Sequence, residues 1–203
     1  MREATQTPAR LLLMIHGFTG DENSMWVFAR NLPAECALLA PRGIYAAPQG
    51  GYSWRAYREG TFGKPSLADF QDSAGRLLRL VDEYQVQAGI EASQFDAIGF
   101  SQGAAMCNVL ACLYPQRVRK VGILAGFVPF GMDEWIAKKT LAGKPYFVTH
   151  GAQDTTVTIE RGRASVALLE QAGANVTYCE SDAGHKVSRD CLRALETFFR
   201  GED

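Results

Sequence analysis

Three residues of this chain have the types and loop settings needed to attack a carbonyl carbon: Ser101, Asp154 and His185. Ser101 lies in Gly99-Phe100-Ser101-Gln102-Gly103, the spacing G-x-S-x-G. A serine hydroxyl is a poor nucleophile at neutral pH. It needs a base within hydrogen-bond reach, and the base needs a third group that fixes its tautomer and stabilises its charge. His185, in Gly184-His185, is the candidate base. Asp154, in Gly151-Ala152-Gln153-Asp154, is the candidate orienting carboxylate.

Such a set works only if the backbone brings the three loops to one place. Phe95, Ala97 and Ile98 read as a short buried strand just before the motif, and Ala104 to Leu113 reads as a helix after it. A serine on so sharp a strand-to-helix turn has its hydroxyl pushed outward, and glycines flank it because side chains there would collide with neighbouring backbone. The helix points its free N–H groups and positive dipole end at the same spot. The runs Leu11–Ile15, Cys36–Ala40, Val118–Leu124, Pro145–Val148 and Val176–Cys179 complete a set of six strands. Leu11–Ile15 is apolar at every position, as suits a strand covered on both faces. Helices are expected over Ser24–Leu32, from the Ser66/Asp69 capping box to Gly89, over Met132–Lys139, over Ile159–Gln171, and after the Ser188 cap. This alternation implies a three-layer α/β/α sandwich around a mainly parallel six-stranded sheet. Asp154 and His185 each follow a strand, at the C-terminal edge where open parallel sheets bind ligands.

An oxyanion hole needs two preorganised donors. One is the backbone N–H of Gln102, next after the nucleophile. The second is expected from the loop after the first strand, at Phe18. Residues 44–65 show no clear periodicity and carry several aromatics, which suits a loop near the site. Phe18, Trp54, Phe62, Phe127 and Phe130 are the candidates to line a short apolar acyl pocket. His16 and His150 end strands just before glycines and read as structural groups bonding loop backbone. Asp182, close to His185 in sequence, is the alternative orienting acid.

The composition is globular, 47% hydrophobic and 21% charged, and the 203 residues are expected to form a single domain, 1–203. A net charge of -1 without acidic or basic blocks argues against a nucleic-acid partner or a charged membrane-surface role. No run is long enough to insert in a membrane. Met1–Arg10 lacks the apolar core of a secretion signal, and five scattered cysteines without C-x-x-C make a disulfide framework unexpected. A cytoplasmic location is therefore expected. Three histidines without H-x-x-x-H or a Cys/His cluster suggest no metal site.

The order Ser101, Asp154, His185 is that of the α/β-hydrolase superfamily. The chain resembles more closely its phospholipase/carboxylesterase group, which includes the acyl-protein thioesterases. The resemblance runs through Ile15-His16-Gly17-Phe18-Thr19-Gly20-Asp21, Ala40-Pro41-Arg42-Gly43, Gly99-Phe100-Ser101-Gln102-Gly103-Ala104-Ala105-Met106, His150-Gly151-Ala152-Gln153-Asp154 and Gly184-His185-Lys186-Val187-Ser188. It implies Ser101 as nucleophile with Asp154 and His185 as partners, no cofactor, no large cap domain, and the superfamily sheet without its first two strands. Where the group often has Leu-Gly after His-Gly, this chain has Phe18-Thr19. The related dienelactone hydrolases use a cysteine nucleophile, which Ser101 argues against.

The implied function is a serine esterase or thioesterase acting on small acyl esters or thioesters of short to medium chain. An acyltransferase on the same scaffold differs only in the acceptor that reaches the acyl-enzyme, and a non-catalytic ligand-binding protein would have no need of all three residues. Fold and motif do not name the substrate or the oligomeric state.

Overall fold

The computed structural model describes residues 10–58, 60, 63–91 and 93–201. Six strands form one parallel sheet: β1 (Arg10–Ile15), β2 (Cys36–Leu39), β5 (Phe95–Phe100), β6 (Val118–Leu124), β7 (Pro145–Gly151) and β8 (Asn175–Ser181), in the spatial order β2-β1-β5-β6-β7-β8. Two further strands, β3 (Tyr45–Ala46) and β4 (Tyr52–Ser53), pair antiparallel as a small hairpin inside the segment that lacked periodicity.

The sheet separates two apolar layers, and the alternation along each strand decides which residue serves which layer. Leu11, Leu13 and Ile15 face one layer with Ala97, Val121, Ile123, Tyr146 and Val148. Leu12 and Met14 face the other with Leu38, Ile98, Leu124 and Phe147. An unbroken apolar run is thus what a strand buried on both faces requires. Helices α1 (Leu67–Gln87), α2 (Gln102–Leu113) and α4 (Ile159–Gln171) cover the first face, with the short α3 (Asp133–Ala137) beside α4. The second face is covered by α5 (Arg189–Arg200), through Leu195 and Phe199, and by a 3-10 segment over Ser24–Asn31, through Met25.

Local signals set several boundaries. The Ser66/Asp69 capping box starts α1, and the Ser188 hydroxyl accepts the Cys191 N–H at the start of α5. The helix after the serine motif begins at Gln102, two residues earlier than its apolar run suggested, because Ser101, at φ 53°, makes the whole turn out of β5. Ser24–Asn31 is 3-10 rather than α-helical.

One cysteine expectation is corrected. Cys179 and Cys191 are disulfide-bonded, while Cys36, Cys107 and Cys112 are buried free thiols. Counting and spacing miss the pair because it is made by geometry: the end of β8 and the first turn of α5 bring the two Cα atoms to 5.7 Å. Among the described residues no helix is long and apolar enough to cross a membrane, and no group of three or more His, Cys, Asp or Glu is arranged to hold a metal ion.

Candidate active site

The chain leaves β1 toward β2 on one side and returns to β5 on the other, so the C-terminal ends of β1 and β5 flank a switch point in strand order. That is where an open parallel sheet presents its crevice. Ser101 follows β5 there. Its φ of 53° and ψ of -114° lie outside the regions open to most non-glycine residues, a strained conformation held by the structure around it. The Ser101 N–H donates to Leu124 O at 2.9 Å, fixing the turn to β6. The glycines on either side of the motif are there because backbone packs where a Cβ would go. A Cβ on Gly99 would stand 2.2 Å from Gly103 O, and one on Gly103 would stand 2.0 Å from Ile15 O. The second contact also holds the N-terminus of α2 against the end of β1, and with it the loop carrying Phe18.

Asp154 and His185 come from the loops after β7 and β8. The Asp154 Oδ1 accepts the Thr156 and Val157 backbone N–H groups at 2.8 and 2.9 Å. Its Oδ2 lies 2.6 Å from His185 Nδ1. A carboxylate only accepts, so Nδ1 carries the proton and Nε2 is left as the basic nitrogen. Asp154 is buried and the His185 side chain is 21% exposed, so the pair is screened on the acid side and open on the base side. Asp182, the alternative acid, is placed elsewhere: its Oδ1 accepts from Gln153 Nε2 at 2.6 Å.

Two cavities meet at Ser101. The larger, about 730 Å³, is lined by His185 with Phe18, Met25, Phe28, Phe100, Val187 and Leu192 among others. The smaller, about 80 Å³, touches Phe18, Ser101 and Gln102 and continues to Arg55, Phe127, Val157 and Arg161. Met25, Phe28, Val187 and Leu192 did not emerge as wall residues from the sequence. The available signal was the short helix directly after the Phe18 loop, whose Met25 and Phe28 lie on its sheet-facing side.

The expected wall aromatics divide. Phe18 borders both cavities and Phe127 borders the smaller. Trp54 is fully buried, and its indole N–H donates to His16 O at 2.8 Å, so it props the loop after β1 and is not among the residues lining either cavity. Phe130 is 57% exposed and is likewise not among them. Phe62 lies outside the described residues. The Gln102 side chain has a task the sequence did not announce. Its Oε1 accepts the Trp54 N–H at 2.9 Å, and its Nε2 donates to Ser53 Oγ at 3.1 Å, tying the motif to the β4 hairpin.

The other two histidines bond backbone. His16 Nε2 accepts the Gly43 N–H at 2.9 Å, so its Nδ1 is the protonated nitrogen and donates to Gly17 O at 2.7 Å. Burial holds the His16 pKa below its ordinary value, against upward pulls from Gly17 O, Asp21 and Glu22. His150 Nε2 lies 2.7 Å from Val157 O, behind Asp154. Burial pushes the Cys36 thiol up to about 11 and those of Cys107 and Cys112 up as well, which leaves them inert.

A parallel sheet with a serine on a strained strand–helix turn defines an α/β-hydrolase architecture. The chain belongs to the phospholipase/carboxylesterase family, whose model matches residues 1–201. It is similar to Carboxylesterase SOBER1 of Arabidopsis thaliana, 29% identical over 130 residues, 60% of this chain and 54% of that protein. It is also similar to Acyl-protein thioesterase 1 of Debaryomyces hansenii, 28% identical over 191 residues, 84% of this chain and 81% of that one. The solved carboxylesterase of Bacillus cereus shares the fold, with a TM-score of 0.82 at 23% identity over 98% of this chain and 91% of that one. Matches to the plant relatives span about half of those proteins' length.

Proposed function

We propose that the protein is a serine hydrolase of carboxylic esters or thioesters, working through an acyl-enzyme on Ser101 with His185 as general base and acid and Asp154 orienting it. One observation carries the reading: His185 shares a cleft with the strained Ser101 while its Nδ1 is held 2.6 Å from a buried carboxylate. Family membership supports the same chemistry.

In the forward step Ser101 Oγ attacks the ester carbonyl and His185 Nε2 takes its proton. The developing oxyanion is met by the Gln102 N–H, first of α2 and without a helical acceptor, and by the Phe18 N–H, with the helix dipole behind them. As the bond from the acyl carbon to the leaving oxygen or sulfur breaks, His185 gives the proton to the departing alcohol or thiol. Water then repeats the sequence on the acyl-enzyme and releases the acid.

The proton route also assigns the two cavities. The leaving group must accept a proton from His185, so it lies in the large cleft that His185 lines. The acyl group lies on the other side, in the small cavity that reaches Ser101 and Gln102. About 80 Å³ gives room for roughly five to eight water-sized groups, which suits a short acyl chain.

A fluorophosphonate probe should label Ser101, identified by peptide mass mapping. Ser101→Ala should lower kcat by roughly 10⁶ if the three residues act as one unit. Retention of a tenth of the activity in clean variant protein overturns the reading.

A further inference from the structure

Arg161 stands in the first turn of α4, facing the small cavity. Its guanidinium lies over the Phe127 ring, 3.8 Å from the centroid, and Nη1 donates to Gly63 O at 3.1 Å. These two contacts fix the group against the wall. Its Nη2 is buried and has no hydrogen-bond partner among the described residues. A buried donor left unmet costs free energy, and a cationic one costs more than a neutral one. Burial lowers the Arg161 pKa, and among the described residues no neighbouring carboxylate acts to raise it. Among the described lining residues of the cavity there is no aspartate or glutamate.

The rest of the cavity has the same sign. Arg55, 4% exposed, borders it too. Asp69 acts on Arg55 from outside the lining, with Arg58 opposing it. The rest of the lining is mostly apolar, with Phe18, Phe127 and Val157 beside the uncharged polar Ser53, Gln102 and Thr156. A mostly apolar cavity lined by a fixed cation that is uncompensated among the described residues is complementary to a short carbon chain that ends in an anion. A carboxylate fits the planar fork and the small volume.

We propose that this cavity reads a terminal carboxylate on the acyl group, so that the substrate is a half-ester, or half-thioester, of a short dicarboxylic acid of about four or five carbons. The proposal rests on the serine-hydrolase reading for the side of Ser101 on which the acyl group lies. The bonds made and broken are those already given. The alcohol leaves through the large cleft, and the acid released by water carries two carboxylates.

The test compares p-nitrophenyl hemisuccinate with p-nitrophenyl butanoate, matched in carbon number, after subtraction of the buffer rate. The wild-type protein should show the higher kcat/KM on the hemisuccinate, and added salt should reduce that preference. In Arg161→Gln the ratio of the two kcat/KM values should fall roughly 10- to 100-fold. Arg161→Lys, which keeps the charge and loses the fork, should fall between. A wild-type preference for butanoate, or a ratio unchanged in both variants, overturns the proposal. If neither ester is hydrolysed and Ser101 is not labelled, the serine-hydrolase reading falls by itself. Calorimetric binding of glutarate then decides the cavity: binding that Arg161→Gln abolishes supports it, and no binding to the wild-type protein overturns it.

Discussion

The Gln102 side-chain carbonyl accepts the Trp54 backbone N–H at 2.9 Å, across 48 residues of sequence. The residue after the serine therefore holds the β3–β4 hairpin in place, in addition to the oxyanion-donor role proposed for its own N–H. Gln102→Ala keeps the backbone donor but leaves the buried Trp54 N–H without this acceptor. It should destabilise the fold by about 1–3 kcal/mol, read as a lower denaturation midpoint at unchanged m-value. A midpoint equal to wild type would show that water or a shifted loop replaces the contact.

Asp154 is fixed on both oxygens, one by the Thr156 and Val157 N–H groups and one by His185 Nδ1. Asp154→Asn can keep the backbone bonds only by turning its amide toward Nδ1, which forces the wrong tautomer on the imidazole. The kcat should fall by roughly 10⁴, as in the serine-protease case. Asp182→Asn should leave kcat near wild type, since Asp182 bonds Gln153. The opposite ranking would move the acid role to Asp182.

What could be read from the sequence was whatever is local in it. The run Leu11–Ile15 announces a doubly covered strand, Ser66 and Asp69 announce the start of α1, and Ser101, Asp154 and His185 each stand a few residues past a strand. What could not be read depends on contacts between distant segments. The β3–β4 hairpin has only two residue pairs and is held from outside, by Gln102 and by the Thr19 and Gly20 backbone, so no periodicity marks it. Trp54 looked like a wall residue because loop aromatics near a site can be either wall or support, and its bond to His16 O is a tertiary fact. The charge on the wall of the small cavity was hidden in the same way: Arg161 sits in an ordinary amphipathic helix, and packing against Phe127 and Gly63 holds it there.

The Cys179–Cys191 bond ties the end of β8 to the first turn of α5 and so closes the loop that carries His185. Opening it should cost about 3 kcal/mol, chiefly by freeing the unfolded chain. Cys191→Ser should therefore lower Tm, and reductant should lower the wild-type Tm toward the same value. Equal Tm for the wild-type protein with and without reductant, with the thiol count confirming reduction, would count against any structural role for the bond.

His16 gives the fold a pH dependence of predictable sign. It is fully buried with both nitrogens bonded in the neutral form, and burial holds its pKa below the ordinary 6.5. The unfolded chain therefore takes up a proton near pH 6.5 that the folded chain refuses. The stability His16 provides is complete above pH 6.5 and is lost as pH falls from there toward the folded value. Chemical denaturation at pH 7.5 and 5.5 should show a smaller decline in His16→Gln, whose amide can still accept from Gly43. An identical decline in both proteins would assign the effect to other groups.

If the two limbs of the substrate lie as proposed, the two cavities at Ser101 should make chain length count differently on the two sides of the ester. In the proposed assignment an acyl chain enters about 80 Å³ lined by Arg161, whereas the alcohol enters about 730 Å³ walled by Met25, Phe28, Phe100, Val187 and Leu192. Each buried methylene contributes about 0.8 kcal/mol, but only while there is wall to bury it against. Along p-nitrophenyl esters from C2 to C16, kcat/KM should rise over the first few carbons and then fall. Along acetate esters of straight-chain alcohols it should go on rising several carbons further, to the length at which the chain leaves the cleft for water. Met25→Ala should flatten the alcohol series and leave the position of the acyl maximum where it was. An acyl preference that climbs steadily to C16, together with indifference to alcohol length, would mean that the two limbs of the substrate lie the other way round, and the proton route from His185 would have to be redrawn.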